Sequence, residues 1–368
     1  VKKKIVICLL FLVILLMGRG LFATGRDTAY RKPVWLSARY AYGFILPHHK
    51  SMERFTRNHV SLYEVAVSFN SEFSDKINGF HFNSGTSYLY SSLSDTRILG
   101  DVHAVVPWIR QAYRINAFSF SFRLGLGLAW VTHPFDLETN FQNTAIGSHL
   151  NAAILINSGL NFKPDDRWVW SAGLNFIHFS NGSTKQPNYG INLPLIYAGI
   201  SYNLVKQQGI RPAIKIDSVT GRFYIGLQAA GGIKQIFPVN GPDYFTMLAA
   251  PYAGYRFTHG FSGLLAFDIS YSASDIDYLK SKGLIVTSKN DVIKTGLSLG
   301  FNQNYGPLGL SFRFGYYFHQ LEDSDGPFYD VLSLSYRLLK GLDGRIMLKT
   351  HFARADFVGA GFSYTFDF

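Results

Sequence analysis

The chain has 368 residues, a formal charge of +11 and one cysteine, Cys8, so no intramolecular disulfide can form. No basic block is interleaved with aromatics as a strand-binding groove requires, which sets nucleic acid aside as a partner. Beyond the first two dozen residues no uninterrupted apolar run is long enough for a spanning helix, so a helical membrane protein is excluded.

In chain order, Lys2, Lys3 and Lys4 precede an apolar run from Ile5 to about Met17 and a small-residue exit, Gly18 to Ala23. Those are the parts of a signal peptide, expected over 1–23 with cleavage near Ala23 or Ala29. Lys2, Lys3, Lys4 and Arg19 account for 4 of the +11, leaving +7. That charge suits an anionic leaflet, although basic loops are also ordinary solvated surface.

From 30 onward the chain alternates. Phe118, Phe120, Phe122, Leu124, Leu126, Leu128 and Trp130 share one face, against Ser119, Ser121, Arg123, Gly125, Gly127 and Ala129. The pattern returns from Leu308 to Phe318, with Arg313 on the small face, and again from Val358 to Phe368. Period two over about ten residues means a strand with one apolar face. A soluble β-protein would pack large faces together; a membrane barrel turns them to lipid and keeps a polar interior, which Arg123 and Arg313 favour. The expected fold is all-β, a transmembrane antiparallel outer-membrane barrel of about 16 strands over 30–368. Strands fall near 34–46, 59–72, 83–91, 98–112, 117–133, 145–162, 168–181 and 190–204. A second series falls near 221–235, 243–257, 261–273, 290–303, 306–318, 328–338, 342–353 and 356–368. The alternative is an eight-stranded barrel within 30–204 and a second β-domain over 205–368. The long 205–220 connection either hides a short strand pair or marks a seam between the halves.

The densest chemistry is His178-Phe179-Ser180-Asn181, followed by Pro187-Asn188-Tyr189-Gly190-Ile191-Asn192. His178 and Ser180 stand two apart and share a strand face with Trp168, Trp170, Ala172, Leu174 and Phe176. A serine becomes a competent nucleophile when a nearby imidazole takes its proton. The pair therefore sits at the end of a lipid-facing stripe. A His and a Ser at this rim are also compatible with ordinary interface residues.

This motif resembles the lipid A 3-O-deacylase (PagL-like) family over roughly 34–204, less specifically through Asn143 to Asn151. The resemblance implies an eight-stranded outer-membrane esterase with an outward-facing serine, histidine and acid, working without metal or organic cofactor on lipid A or lipopolysaccharide. It makes Ser180 the nucleophile and His178 the base. Asn181, Asn188 and Gly190 become oxyanion or loop-ordering residues. Asn192 falls where the family has its acid, a departure from the pattern; an asparagine carbonyl can still hold an imidazole in one tautomer. Lys185 is a candidate contact for a lipid A phosphate, or else a solvated loop lysine. The competing class is a non-catalytic barrel, porin or structural, that retains the motif as a relic.

Phe368 ends an alternating strand, which resembles the signal read by the barrel-assembly machinery and implies contact with outer-membrane lipid. Glu322, Asp323, Asp325 and Asp330 form either a divalent-cation cluster or a solvated acidic loop. His48-His49 and His133 lack partners for a zinc site. The sequence sets no oligomeric state.

Overall fold

A computed structural model describes residues 33–70, 80–205, 222–258, 260–352 and 354–367. The signal-peptide segment, the 206–221 part of the long connection and Phe368 lie outside them. Among the described residues sixteen strands are present, each at one of the expected places. They close as two barrels of eight, so the two-domain arrangement is the one adopted. The chain accordingly divides into two compact units, one built on each barrel.

The first barrel comprises β1 (Val34–Phe44), β2 (His59–Asn70), β3 (Phe80–Ser92), β4 (Asp101–Ile115), β5 (Phe118–Val131), β6 (Leu150–Phe162), β7 (Trp168–Ser180) and β8 (Ile191–Asn203). Every neighbour is antiparallel, and β1 pairs with β8 from Trp35↔Asn203 to Gly43↔Leu195 to close the ring. The second comprises β9 (Phe223–Gln235), β10 (Asp243–Arg256), β11 (Phe261–Ser272), β12 (Ile293–Tyr305), β13 (Leu308–His319), β14 (Phe328–Leu339), β15 (Leu342–His351) and β16 (Arg354–Asp367). Here β16 closes on β9. Closure leaves no open edge, so every strand satisfies its backbone through its neighbours.

The two faces differ as the alternation requires. Phe118 and Phe120 point outward and are exposed, while Ser121 and Arg123 are buried in the lumen. Trp170, Leu174, Ile196 and Phe223 are likewise large and outward. Such a continuous apolar belt would be a liability in water and is the normal surface of a barrel in lipid. None of the described helices is long and apolar enough to cross a membrane.

The lumens are plugged by ion pairs. In the first barrel Arg123 Nη2 donates to Glu64 Oε2 at 3.0 Å, its Nη1 bonds Oε1, and Ser87 donates to the same carboxylate. In the second, Arg313 donates to Asp268 at 2.7 Å, and Tyr329 donates to the other carboxylate oxygen at 2.7 Å. An isolated charge there would be costly, so each arginine comes with a hydrogen-bonded acid.

At one end of the first barrel lie the connections 45–58, 132–149 and 181–190, and at the other the turns 116–117 and 163–167. We call these the loop end and the turn end. In the second barrel the longest described loop, 273–292, carries a short helix, α1 (Ser274–Ser281).

Candidate active site

His178 and Ser180 lie in the last turn of the pleat of β7, at the loop end. The ladder sets their neighbours: Ser180 faces Ala152 and His178 faces Ile154 on β6, and His178 faces Asn192 on β8. Residues of β7 alternate so that Trp170 and Leu174 point outward and Ser171, Asn175 and Ile177 point into the lumen. His178 continues the outward set, and so does Asn192, two pleats from the exposed Ile196. The imidazole therefore stands on the lipid side, with its partner directly across one strand gap.

That cross-strand pair is bonded. His178 Nδ1 lies 2.6 Å from Asn192 Oδ1. An amide oxygen only accepts, so Nδ1 carries the proton and Nε2 is left as the free base. The amide is oriented in turn by a residue the sequence reading passed over. Asn192 Nδ2 lies 3.0 Å from His48 Nδ1, and His48 Nε2 lies 2.6 Å from the carbonyl oxygen of Tyr189. The carbonyl accepts, so His48 Nε2 donates and its Nδ1 is the acceptor for the Asn192 amide. Each proton in the chain from Tyr189 through His48 and Asn192 to His178 is thereby assigned by its neighbour.

His48 is 144 residues from Asn192 in sequence. Barrel closure brings them together: β1 pairs with β8, and the ladder runs on as Leu46 N–H donates to Asn192 O at 2.9 Å. His49 stacks on Tyr189 with ring centroids 4.2 Å apart, fixing the loop whose carbonyl His48 reads. The only sequence signal for His48 was an unassigned His-His pair, without a metal ligand set to explain it.

Gly190 has φ +78, a conformation that glycine adopts without a Cβ penalty. It also lies against the base: a Cβ there would stand 2.7 Å from His178 Cε1 and 3.3 Å from Nε2. Its N–H donates to Ala145 O at 2.8 Å, tying the motif loop to the 132–149 loop. That second loop is braced by Asn143. Its Oδ1 accepts from Ala145 and Ile146 N–H at 3.1 Å each, and its Nδ2 donates to His133 O at 2.6 Å.

Asn181 is buried and donates to Lys185 O at 2.8 Å, closing the turn after the serine. Asn188 is partly buried in the same loop, and Lys185 is exposed. Ser180 is 3% exposed, and its hydroxyl meets no hydrogen-bond partner in the described structure. A serine–imidazole bond often tightens only in the complex with substrate.

The acidic set in the 320–327 loop and on β14 is engaged by bases. Glu322 bonds Lys294 at 3.0 Å, Asp323 bonds Lys282 at 3.0 Å, and Asp325 bonds Arg354 at 2.6 Å. Asp330 instead accepts from Thr350 at 3.4 Å. Three of the four acids are thus ion-paired rather than converging on a common centre.

Taken together, two closed barrels with a lipid-type outer surface and a rim bearing serine, histidine and asparagine define a membrane-barrel protein with a hydrolase-like constellation. Comparison with known families makes this particular. Residues 61–201 match the family model described as lipid A 3-O-deacylase (PagL), and residues 223–367 match acyloxyacyl hydrolase, C-terminal domain. The chain belongs to the PagL family, its first barrel under the lipid A 3-O-deacylase model and its second under the acyloxyacyl hydrolase C-terminal model.

Solved structures similar to it include the outer membrane enzyme PagL, at 20% identity and TM-score 0.33, covering 44% of this chain and 97% of that one. Neisserial surface protein A matches at 9% identity and TM-score 0.34, covering 46% and 97%. Ail, the attachment invasion locus protein of Yersinia pestis, matches at 13% and 0.29, covering 47% and 99%. No curated protein sequence matches the chain.

Proposed function

We propose that this protein is an outer-membrane esterase that removes an ester-linked acyl chain from lipid A or a related outer-leaflet lipid. The observation that carries the reading is the 2.6 Å bond between His178 Nδ1 and Asn192 Oδ1 on the outward face, within the lipid A 3-O-deacylase match. Ser180 Oγ attacks the ester carbonyl as His178 Nε2 takes its proton. His178 then returns the proton to the leaving alcohol, and water releases the acyl chain from Ser180 by the same route. No residue role in this cycle calls for a metal or an organic cofactor. Asn192 holds the productive tautomer without contributing charge, so it orients the imidazole but stabilises imidazolium less than a carboxylate would. Asn181 and Gly190 order the loop over the serine, and Lys185 stands exposed where a lipid phosphate could reach it. Phospholipid and lipopolysaccharide acyl esters lie at the depth of such a rim, which suits the lipid-facing placement.

The neutral Asn192 and the unpartnered Ser180 hydroxyl favour one second reading, a non-catalytic barrel that retains the motif. Mass spectrometry of lipid A separates the two. Cells expressing the wild type should show lipid A lighter by one acyl chain, and cells expressing Ser180→Ala should not. Identical lipid A in both would leave the non-catalytic reading standing.

A further inference from the structure

The turn end of the first barrel holds a cavity of about 350 Å³ inside the lumen. Its charged lining is one-sided. Arg39, Arg110, Arg114 and Lys163 line it together with His81, and among the described residues its one carboxylate is Asp166. Asp166 is held by Lys163 at 2.7 Å and is largely in solvent at the mouth.

Deeper in, the arginines outnumber their acids. Arg110 stands directly opposite Arg123 in the β4–β5 ladder. Like charges in facing positions repel. Glu64 is the carboxylate at this level, and Arg123 already engages both of its oxygens, with Arg39 at 3.4 Å sharing one of them. Arg110 takes no share in that carboxylate. Its Nε is buried without a hydrogen-bond partner, and it forms no ion pair among the described residues. Arg39 Nε is buried and unpartnered as well. Arg114 spends its Nε on the carbonyl of Asn116 at 2.8 Å and forms no ion pair among the described residues.

The second barrel leaves less room. A cavity lined by its arginines is about 50 Å³. Arg313 has Asp268, Arg337 has Asp343, Arg256 has Asp367, and Arg345 donates to Gln228 at 2.6 Å. Arg313 Nη2 and Arg345 Nε are also unpartnered, but beside that smaller space. A buried guanidinium nitrogen with no acceptor, beside a space large enough for one, is an incomplete site. A forked donor of this kind best matches a carboxylate or phosphate, and clustered Arg and Lys around a tetrahedral anion favour phosphate.

We propose that the turn-end lumen of the first barrel is a binding site for a phosphate-type oxyanion, gripped by Arg110 with Arg39, Arg114 and Lys163 around it. The site is separate from the esterase centre. Val169 lines it, and the nine residues from there to His178 span about 30 Å of strand. The anion can come free, as inorganic phosphate, or as the headgroup of a phospholipid at that end of the barrel.

The test uses the full-length protein folded in dodecyl maltoside, which carries no phosphate. Inorganic phosphate and short-chain phosphatidylglycerol are titrated separately by calorimetry, with thermal unfolding followed in parallel. Wild type should bind one equivalent of at least one titrant and unfold at a higher temperature in its presence. Phosphate binding alone marks a free anion; binding of the lipid alone marks a headgroup. Arg110→Gln should weaken binding at least about tenfold, Arg110→Lys less, and Arg345→Gln in the second barrel not at all. Without anion, Arg110→Gln should unfold at a higher temperature than wild type, because a half-buried charge with no ion pair among the described residues has gone. Equal affinity in wild type and Arg110→Gln, or binding of neither titrant to folded wild type, would overturn the assignment.

Discussion

Arg123 stands on the fifth strand of the first barrel and meets Glu64 from the second strand; Arg313 stands on the fifth strand of the second barrel and meets Asp268 from the third. Both lumens are thus braced by a buried arginine and acid, with a serine hydroxyl on the carboxylate. The rims differ more. On the seventh strand of the first barrel the terminal histidine, His178, points outward beside Ser180. On the seventh strand of the second, the terminal histidine, His351, points inward, where it lies 3.8 Å from Asp356 near Lys349. Because side chains alternate, a one-residue difference in placement decides whether a histidine meets lipid or lumen. The first barrel can present a base to a lipid ester; the second spends its histidine on an internal charge network.

The sharpest way to break this contrast is to disable one histidine at a time. Ser180→Ala or His178→Ala should lower lipid A deacylation by about 10⁴-fold or more, with heat-modifiable gel mobility retained. His351→Ala should leave the rate unchanged. A loss of activity in His351→Ala equal to that in His178→Ala would mean that the second barrel shares the chemistry.

The interior pairs give the next largest effect. Glu64→Gln leaves Arg123 and Arg39 without their acid, and Asp268→Asn does the same to Arg313. Each should destabilise its barrel by about 3–5 kcal/mol in urea titrations, because a buried charge is stranded. Replacing Arg123 and Glu64 together by apolar residues should recover most of the loss. If the single variants unfold like wild type, the pairs are not bracing the lumens.

Smaller changes test the relay behind the base. Asn192→Ala and His48→Ala should each reduce turnover about 10- to 100-fold by releasing the imidazole to the wrong tautomer. Asn192→Glu should retain or raise it, since a carboxylate also steadies imidazolium. A substitution that keeps the hydrogen bonds distinguishes a relay from mere packing. His48→Gln can still donate to Tyr189 O and accept from the Asn192 amide, so it should recover part of the turnover that His48→Ala loses. Equal turnover in the two variants would remove His48 from the mechanism.

The smallest expected effect lies at the loop end of the second barrel. Burial raises the Glu322 carboxyl, but hydrogen bonds from Ser324 and the charge of Lys294 outweigh it and hold the group at about 2. A carboxylate depressed in the folded state contributes stability above its unfolded value of 4.5 and loses it as pH falls toward 2. Thermal stability of wild type should fall through that window more steeply than that of Glu322→Gln.

Much of this was legible in one dimension. Strand positions and faces follow from period two, because a pleat puts every second side chain on the same side whatever it packs against. The outward placement of His178, Ser180 and Asn192 follows from the same parity, and the Pro187 to Asn192 spacing identified the motif. Arg123 and Arg313 on small-residue faces announced a polar lumen, but not the acids that answer them. Glu64 and Asp268 come from strands 59 and 45 residues away, and nothing local selects them.

Closure belonged to the tertiary structure alone. Alternation is the same in a ring of eight or sixteen strands; the ring size depends on which distant edges pair, and here β8 returned to β1 and β16 to β9. The first ring ends with β8 and the second begins with β9; most of the 205–220 connection between them lies outside the described residues. The same closure carried His48 to Asn192. A sequence records which face each residue takes, because that is set by the backbone's own geometry. It does not record which residue will stand opposite, because that is set when two edges far apart in the chain meet.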